Sequence, residues 1–294
     1  MAQYSIKTLE QLSGIKAHTI RIWEQRYQLL APQRTDTNIR FYDDAALKML
    51  LNVAALYGKG FKISRIAGMS PTQISEEVIT LTETSGNNAL QINALVTAMI
   101  ALNEKAFNQI INNQIKQAGL ETTMLEIVYP FLEKIGILWQ TNNICPAHEH
   151  FVSNLIRQKI ITAIDNLETI DREKARGEFL LFLPEGELHE LALLFMTFLL
   201  RARNFHCLYL GQNLPFPDLL AAFASYQPDY IVTVLTSFPG PDQVQEYLHK
   251  LADTFKQQEV WVYGYQVQSE QLTIPANLKR HNRISEFISC LDNL

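Results

Sequence analysis

The sequence predicts an α + α/β protein: a winged helix-turn-helix and a helical bundle, followed by a doubly wound parallel-sheet domain. Three observations carry this. Two short helical patterns joined by a tight turn at Gly14 open the chain. From about residue 72 to 168, apolar residues recur at helical spacing throughout. After residue 178 the period changes to short runs rich in β-branched and aromatic residues, separated by helical stretches. Such alternation implies a parallel sheet covered on both faces.

Each element follows in order. "SIKTLEQLS", residues 5–13, reads as a helix stopped by Gly14. "AHTIRIWEQRYQLL", residues 17–30, reads as a second helix ended by Pro32. Such a pair is a helix-turn-helix pattern. "APQRTDTNIRFYDD" is polar and turn-rich and closes on a short "IRFY" strand, the expected wing. "DDAALKMLLNVAALYGKG" begins with acidic residues and runs as an apolar helix to Gly58 and Gly60, and "KISRIAGMS" adds a short one. Helical patterns at "PTQISEEVITLTE", at residues 88–119, at "LETTMLEIVYPFLEKIGILWQ" and at "PAHEHFVSNLIRQKIITAIDNLE" make a bundle. "TIDREKARGE", residues 169–178, reads as a linker. "FLLFLPE", "FHCLYLG", "YIVTVLT" and "VWVYGYQV" are the expected strands. The expected domains are residues 1–71, 72–170 and 178–294.

The 294 residues are 47% hydrophobic, enough for a sizeable core and too apolar for a disordered chain. The longest apolar stretch, Leu191 to Leu200, is too short to span a bilayer, and "MAQYSIKTLE" has no apolar signal-peptide core. Cys145, Cys207 and Cys290 are few and far apart, which fits a reducing cytoplasm and excludes a disulfide framework. Charge is uneven. Residues 1–70 hold ten basic and five acidic residues, so a net −5 over the chain divides into +5 at the front and −10 behind. A small basic module on an acidic body points to a polyanion met by the front alone.

In the second helix, Arg21, Trp23, Arg26 and Tyr27 fall within two turns, with Thr19 near its start. This suits a recognition helix whose first turns face base edges while Arg and Tyr hold phosphates. Arg34 and Arg40 can grip the backbone beside it. The competing reading makes Trp23 and Tyr27 core residues. Residues 4–70 resemble the DNA-binding domain of MerR-type regulators, in "TIRIWEQRY", in "RFY" and in the aliphatic helix that follows. The resemblance implies a winged helix-turn-helix bound as a dimer to a two-fold symmetric promoter site. It implies Thr19, Arg21, Arg26, Tyr27, Arg40 and Tyr42 as the DNA-contacting set.

Ligands of a doubly wound sheet bind at the carboxyl ends of its strands. "PEGELHELALLF" puts Glu187 and His189 there, after the first strand. A lone His at that edge suits either a metal-centred cofactor or an ordinary capping role. Residues 178 to about 290 resemble the cobalamin-binding fold, of flavodoxin-like type. The resemblance rests on the order strand, Glu-x-His, helix, strand, "LGQNLP". It implies His189 as the lower axial ligand of cobalt. The family's Gly three residues past the His is Ala192 here. Its Ser-x-Leu/Thr segment matches best at Thr233 to Leu235, with Thr236 as the other register. Of its Gly pair after the fourth strand, Tyr263 replaces the first and Gly264 keeps the second. Glycine serves where backbone and ligand approach closely, and a Tyr at 263 crowds the nucleotide tail.

"NNICPAHEHF", residues 142–151, groups three zinc-ligand types, Cys145, His148 and His150. On a helix, residues two apart point to different faces, so the two histidines do not chelate one ion. Cys145 with His148 supplies only two of about four ligands. The segment resembles instead the cap of MerR-type light sensors that carry adenosylcobalamin, whose signature is Trp, nine residues, then Glu-His. Trp139, Glu149 and His150 keep that spacing. The resemblance implies Trp139 and Glu149 at the upper adenosyl group, and His150 as an upper ligand once light breaks the cobalt–carbon bond.

Three functions are therefore in play. The first is a cytoplasmic homo-oligomeric regulator, dimer or tetramer, whose hold on double-stranded promoter DNA is set by a cobalamin sensor half. The second keeps the DNA binding with a degenerate, cobalamin-free module for oligomerisation, as Ala192 and Tyr263 suggest. The third is a cobalamin-dependent enzyme or methyl carrier, against which the basic helix-turn-helix argues.

Overall fold

In a computed structural model, residues 3–35, 38–84, 88–140 and 144–294 are described, the side chains of 79, 82–84 and 137–140 excepted. They form two units, Met1–Leu155 and Ile156–Leu294.

The first unit is helical. α1 (Ile6–Ser13) starts at Ser5, whose hydroxyl accepts the Thr8 N–H at 3.1 Å, and stops where Gly14 turns left-handed. α2 (Ala17–Tyr27) is anchored by Glu10, whose carboxylate accepts the Ala17 N–H at 3.1 Å. It ends three residues earlier than the sequence predicts. Gln28 takes the left-handed conformation and returns its N–H to Glu24, so the helix closes before Pro32 acts. β1 (Gln33–Arg34) and β2 (Arg40–Phe41) pair antiparallel as the wing, and Tyr42 bridges to Tyr4. α3 (Asp44–Gly58) is capped by Asp43 and buries Leu47, Leu50, Leu51, Val53 and Leu56. α4 (Ile63–Ala67) completes this part.

The bundle comprises α5 (Pro71–Thr84), α6 (Asn88–Ile100), α7 (Glu104–Thr123), α8 (Tyr129–Gln140) and α9 (Pro146–Asp165). The single helix expected over 88–119 is broken: Leu102 is left-handed, and the Asn103 side chain caps α7 by accepting the Ala106 N–H. Gly119 interrupts α7, and a π-helical turn, Met124–Val128, leads into α8. Pro130 explains that turn, since it has no N–H to continue the ladder of the preceding helix.

The second unit alternates β3 (Glu178–Pro184), α10 (Leu191–Arg201), β4 (His206–Leu214), α11 (Phe216–Tyr226), β5 (Tyr230–Val234), α12 (Val244–Thr254), β6 (Glu259–Tyr263), β7 (Leu278–His281) and α13 (Ile284–Asp292). All five strands are parallel in the order β4-β3-β5-β6-β7, the flavodoxin-like arrangement. β7 and α13 are additions to the four strands read from the sequence. Leu180, Phe182, Ile231, Val260 and Val262 of the sheet pack with Leu248, Leu251 and Phe255 as one core. The segment read as a linker docks on this unit. Arg172 donates to Glu178 and to the Tyr226 carbonyl at 2.8 Å, with its guanidinium 4.5 Å over the Tyr226 ring.

Candidate DNA-binding and ligand sites

α2 is amphipathic, and its phase decides which residues face outward. Ile20, Trp23 and Glu24 are buried, Trp23 edge-on to Tyr57 with ring centroids 5.1 Å apart. Trp23 is thus a core residue. The opposite face exposes His18, Arg21, Ile22, Gln25 and Arg26, while Thr19 and Tyr27 are half-buried on its flanks. The sequence reading named Thr19, Arg21, Arg26 and Tyr27 and missed His18, Ile22 and Gln25. The helical spacing i, i+3, i+4, i+7 from His18 would have found them. In the wing, exposed Arg34 donates to the Asn38 side chain at 2.6 Å. Arg40 is half-buried, and its Nε has no hydrogen-bond partner among the described residues.

Tyr42 is a correction. It is fully buried, and its hydroxyl donates to the carboxylate of buried Glu24. Burial first, and that carboxylate second, push the phenol well above its ordinary pKa. It ties the wing to α2 and presents no surface to DNA. Tyr42→Phe leaves buried Glu24 one donor short, so the first unit should lose about 2 kcal/mol of stability in urea denaturation. An unchanged midpoint would remove this tie.

At the other end of the chain, β3 stops at Pro184 and the chain turns through Gly186 to Glu187 and His189 before α10. Glu187 is 0% exposed. One oxygen accepts the N–H groups of Leu188 and His189, both at 3.0 Å. The other accepts those of Thr236, Ser237 and Phe238 at 2.8, 2.7 and 3.1 Å. Burial pushes the Glu187 carboxyl up. The His189 ring and the N–H groups of Ser237, His189 and Phe238 more than offset this and hold it far below the usual carboxylate range.

The His189 ring lies with Nδ1 2.6 Å from Glu187 Oε1, and its side chain is 57% exposed. An ionised carboxylate cannot donate, so Nδ1 carries a proton, which in the neutral ring places the lone pair on Nε2. A histidine oriented in this way by a neighbouring carboxylate is the usual preparation of a metal ligand. A single imidazole donor would suit a metal that already carries its own chelating ligands. Among the described residues no group of three or more His, Cys, Asp or Glu could hold a bare ion. The donor set therefore fits cobalamin's cobalt. Next along the chain, Glu190 ties this loop to its surroundings, accepting from Arg157 Nε and from the Tyr209 hydroxyl at 3.0 Å.

The hydroxyl beside His189 is Ser237, 3.3 Å from Nδ1 and 3.2 Å from Glu187 Oε1. Thr233 is corrected accordingly. It sits fully buried inside β5, its Oγ1 without a hydrogen-bond partner among the described residues. β5 runs on to Val234, so only the loop beyond can reach the carboxyl edge. Gly264 has φ +118°, and a Cβ there would lie 2.4 Å from the Leu235 carbonyl oxygen. The close approach it permits is to the protein's own backbone. Ala192 is the second residue of α10 and Tyr263 ends β6, both half-buried.

In the first turn of α9, His150 Nδ1 lies 3.5 Å from Glu149 Oε2, and Ser153 donates to Glu149 at 3.3 Å. The His150 side chain is exposed. Cys145 Sγ contacts His148 Nδ1 at 3.2 Å. Trp139 belongs to α8, but its side chain lies outside the described residues, as do residues 142 and 143 of the "NNICPAHEHF" segment.

A winged helix-turn-helix with a basic outer stripe, a helical bundle and a flavodoxin-like sheet bearing a Glu-His pair at its carboxyl edge together define a DNA-binding transcriptional regulator with a cobalamin-binding half. Comparison with known proteins agrees. Residues 4–73 match the MerR HTH family regulatory protein description, and residues 91–163 match the B12 binding domain. The chain is 26% identical to the HTH-type transcriptional repressor CarH of Myxococcus xanthus, over 91% of each chain. It is 24% identical to the repressor CarA of the same organism, over 81% of this chain and 78% of that one. The monomethylamine corrinoid protein of Methanosarcina barkeri superposes with a TM-score of 0.55, covering 71% of this chain and 100% of that one. At 14% identity, that likeness is one of fold. Among the described residues no helix is long and apolar enough to cross a membrane.

Proposed function

We propose that this protein is a cytoplasmic, non-enzymatic repressor that holds promoter DNA as a dimer or tetramer and changes that hold with the state of bound adenosylcobalamin. The observation that carries the reading is the Glu187–His189 pair, with Nδ1 2.6 Å from a buried carboxylate at the ligand edge of the sheet. The names of the CarH and CarA relatives support repression over activation.

In this reading residues 1–71 would bind DNA, 72–170 would serve as the cap, and 178–294 would hold cobalamin. Cobalamin, when bound, supplies a light-labile cobalt–carbon bond. The chain's own residues bind and orient. Glu187 and Ser237 hold the His189 ring, and His189 Nε2 would ligate the metal. Trp139 and Glu149 would hold the adenosyl group, and His150 would be a further ligand for the metal. Thr19, Arg21, Arg26, Tyr27, Arg34 and Arg40 engage the duplex.

The test is a visible spectrum of the full chain purified with adenosylcobalamin in the dark, then lit. A cobalamin spectrum in the protein peak that changes on illumination supports the reading. A protein peak without it sinks the sensor half and favours the cobalamin-free alternative, for which Ala192 and Tyr263 are the motive. DNA affinity should also fall about a thousand-fold or more between 50 and 200 mM salt if some six phosphates are contacted. A flat salt response counts against the DNA-binding assignment.

A further inference from the structure

The outer stripe of α2 holds a residue that solubility does not explain. Ile22 is 49% exposed in the middle of a helix whose other outward residues, His18, Arg21, Gln25 and Arg26, are all polar. An outward helical position is ordinarily polar. A lone exposed apolar side chain is unremarkable by itself, but this one shares its helix and unit with exposed or half-buried cations. Arg21 and Arg26 flank it on the helix, and Arg34 and Arg40 lie in the wing of the same unit. Those charges select a polyanion, and a duplex is the polyanion that also offers apolar groups at fixed depth.

In the major groove the apolar group on a base edge is the C5-methyl of thymine, whereas the N6/N7 edge of adenine takes a bidentate amide. Gln25 follows Ile22 by three residues, a little short of the 3.6-residue turn and about 4.5 Å along the axis. That separation spans neighbouring base pairs about 3.4 Å apart. Both side chains are exposed on one face. We propose that Ile22 reads a thymine methyl and Gln25 the adenine of an adjacent pair, so that each half-site contains neighbouring A·T pairs. This rests on α2 being the recognition helix.

The experiment uses the full chain and a random-sequence duplex library. Retained duplexes are sequenced, and each thymine of a selected site is then replaced by 2′-deoxyuridine, which removes the methyl alone. One thymine per half-site should cost the native protein about four-fold in affinity on demethylation and cost Ile22→Ala nothing. Gln25→Ala should lose about ten-fold and relax the adjacent base. Both side chains are exposed, so both variants should keep the native circular dichroism. Equal uracil effects in native protein and Ile22→Ala, or none at any thymine, overturn the proposal and leave DNA binding intact. A library from which no duplex is retained overturns the recognition-helix reading and the proposal with it.

Discussion

Glu187→Ala should destabilise the second unit by about 3–5 kcal/mol, a large share of the roughly 5–15 kcal/mol that holds a domain together. The carboxylate is the acceptor for five backbone N–H groups, from Leu188, His189, Thr236, Ser237 and Phe238. Each unsatisfied buried donor costs about 1–3 kcal/mol, partly recovered as the loops open to water. Glu187→Gln keeps one carbonyl acceptor but turns an amide donor toward the others, so its cost should be intermediate. The sign of the pH dependence follows from the carboxyl being held below its ordinary range. Its stabilisation is fully present above the unfolded-state pKa near 4.3 and is lost as acid takes the pH toward the lower folded value. The gap in urea midpoint between native and Glu187→Gln proteins should therefore be widest above about pH 5 and narrow below it. Equal midpoints at neutral pH would overturn the account of this loop.

How much of this could be read from the sequence depends on the range over which each residue is satisfied. Ser5, Gly14 and Asp43 are capped or turned by neighbours a few positions away, so α1 and α3 were legible. The hydrophobic period fixed the parallel sheet, because β3, β5 and β6 are buried on both faces. β7 was missed because "LKRH" is an edge strand buried only at its two ends. The break at Leu102 carries no Gly or Pro, and its one signal is the cap at Asn103. Tyr42 was misread because Glu24, its partner, is 18 positions away and its burial is decided by packing. Ser237 was missed for a similar reason. Its distance from Glu187 in sequence is 50 residues, and which hydroxyl crosses that gap depends on where β5 ends. Gly264 is expected from the sequence to let backbone and ligand approach closely, and the close approach in the structure is to the Leu235 backbone.

His189→Ala should separate ligand binding from folding, in contrast to Glu187→Ala. More than half of the His189 side chain is exposed, and Glu187 keeps its backbone donors when the ring is removed. The loss of one hydrogen bond to a carboxylate predicts a stability change of about 1–2 kcal/mol. Affinity for cobalamin should respond far more. Removing a residue that merely orients a metal ligand costs about 10–100-fold, and removing the ligand itself should exceed that. Ser237→Ala, which leaves the Glu187 contact to Nδ1 in place, should sit at the lower end, near ten-fold. A folded His189→Ala chain with native affinity and a native visible spectrum would show that the ring does not ligate the metal. Chemical rescue distinguishes ligation from packing. In His189→Gly, added imidazole should restore the native visible spectrum in proportion to the amount bound, because the missing group is a nitrogen lone pair. A merely structural histidine would show recovery of stability alone, with no spectral return.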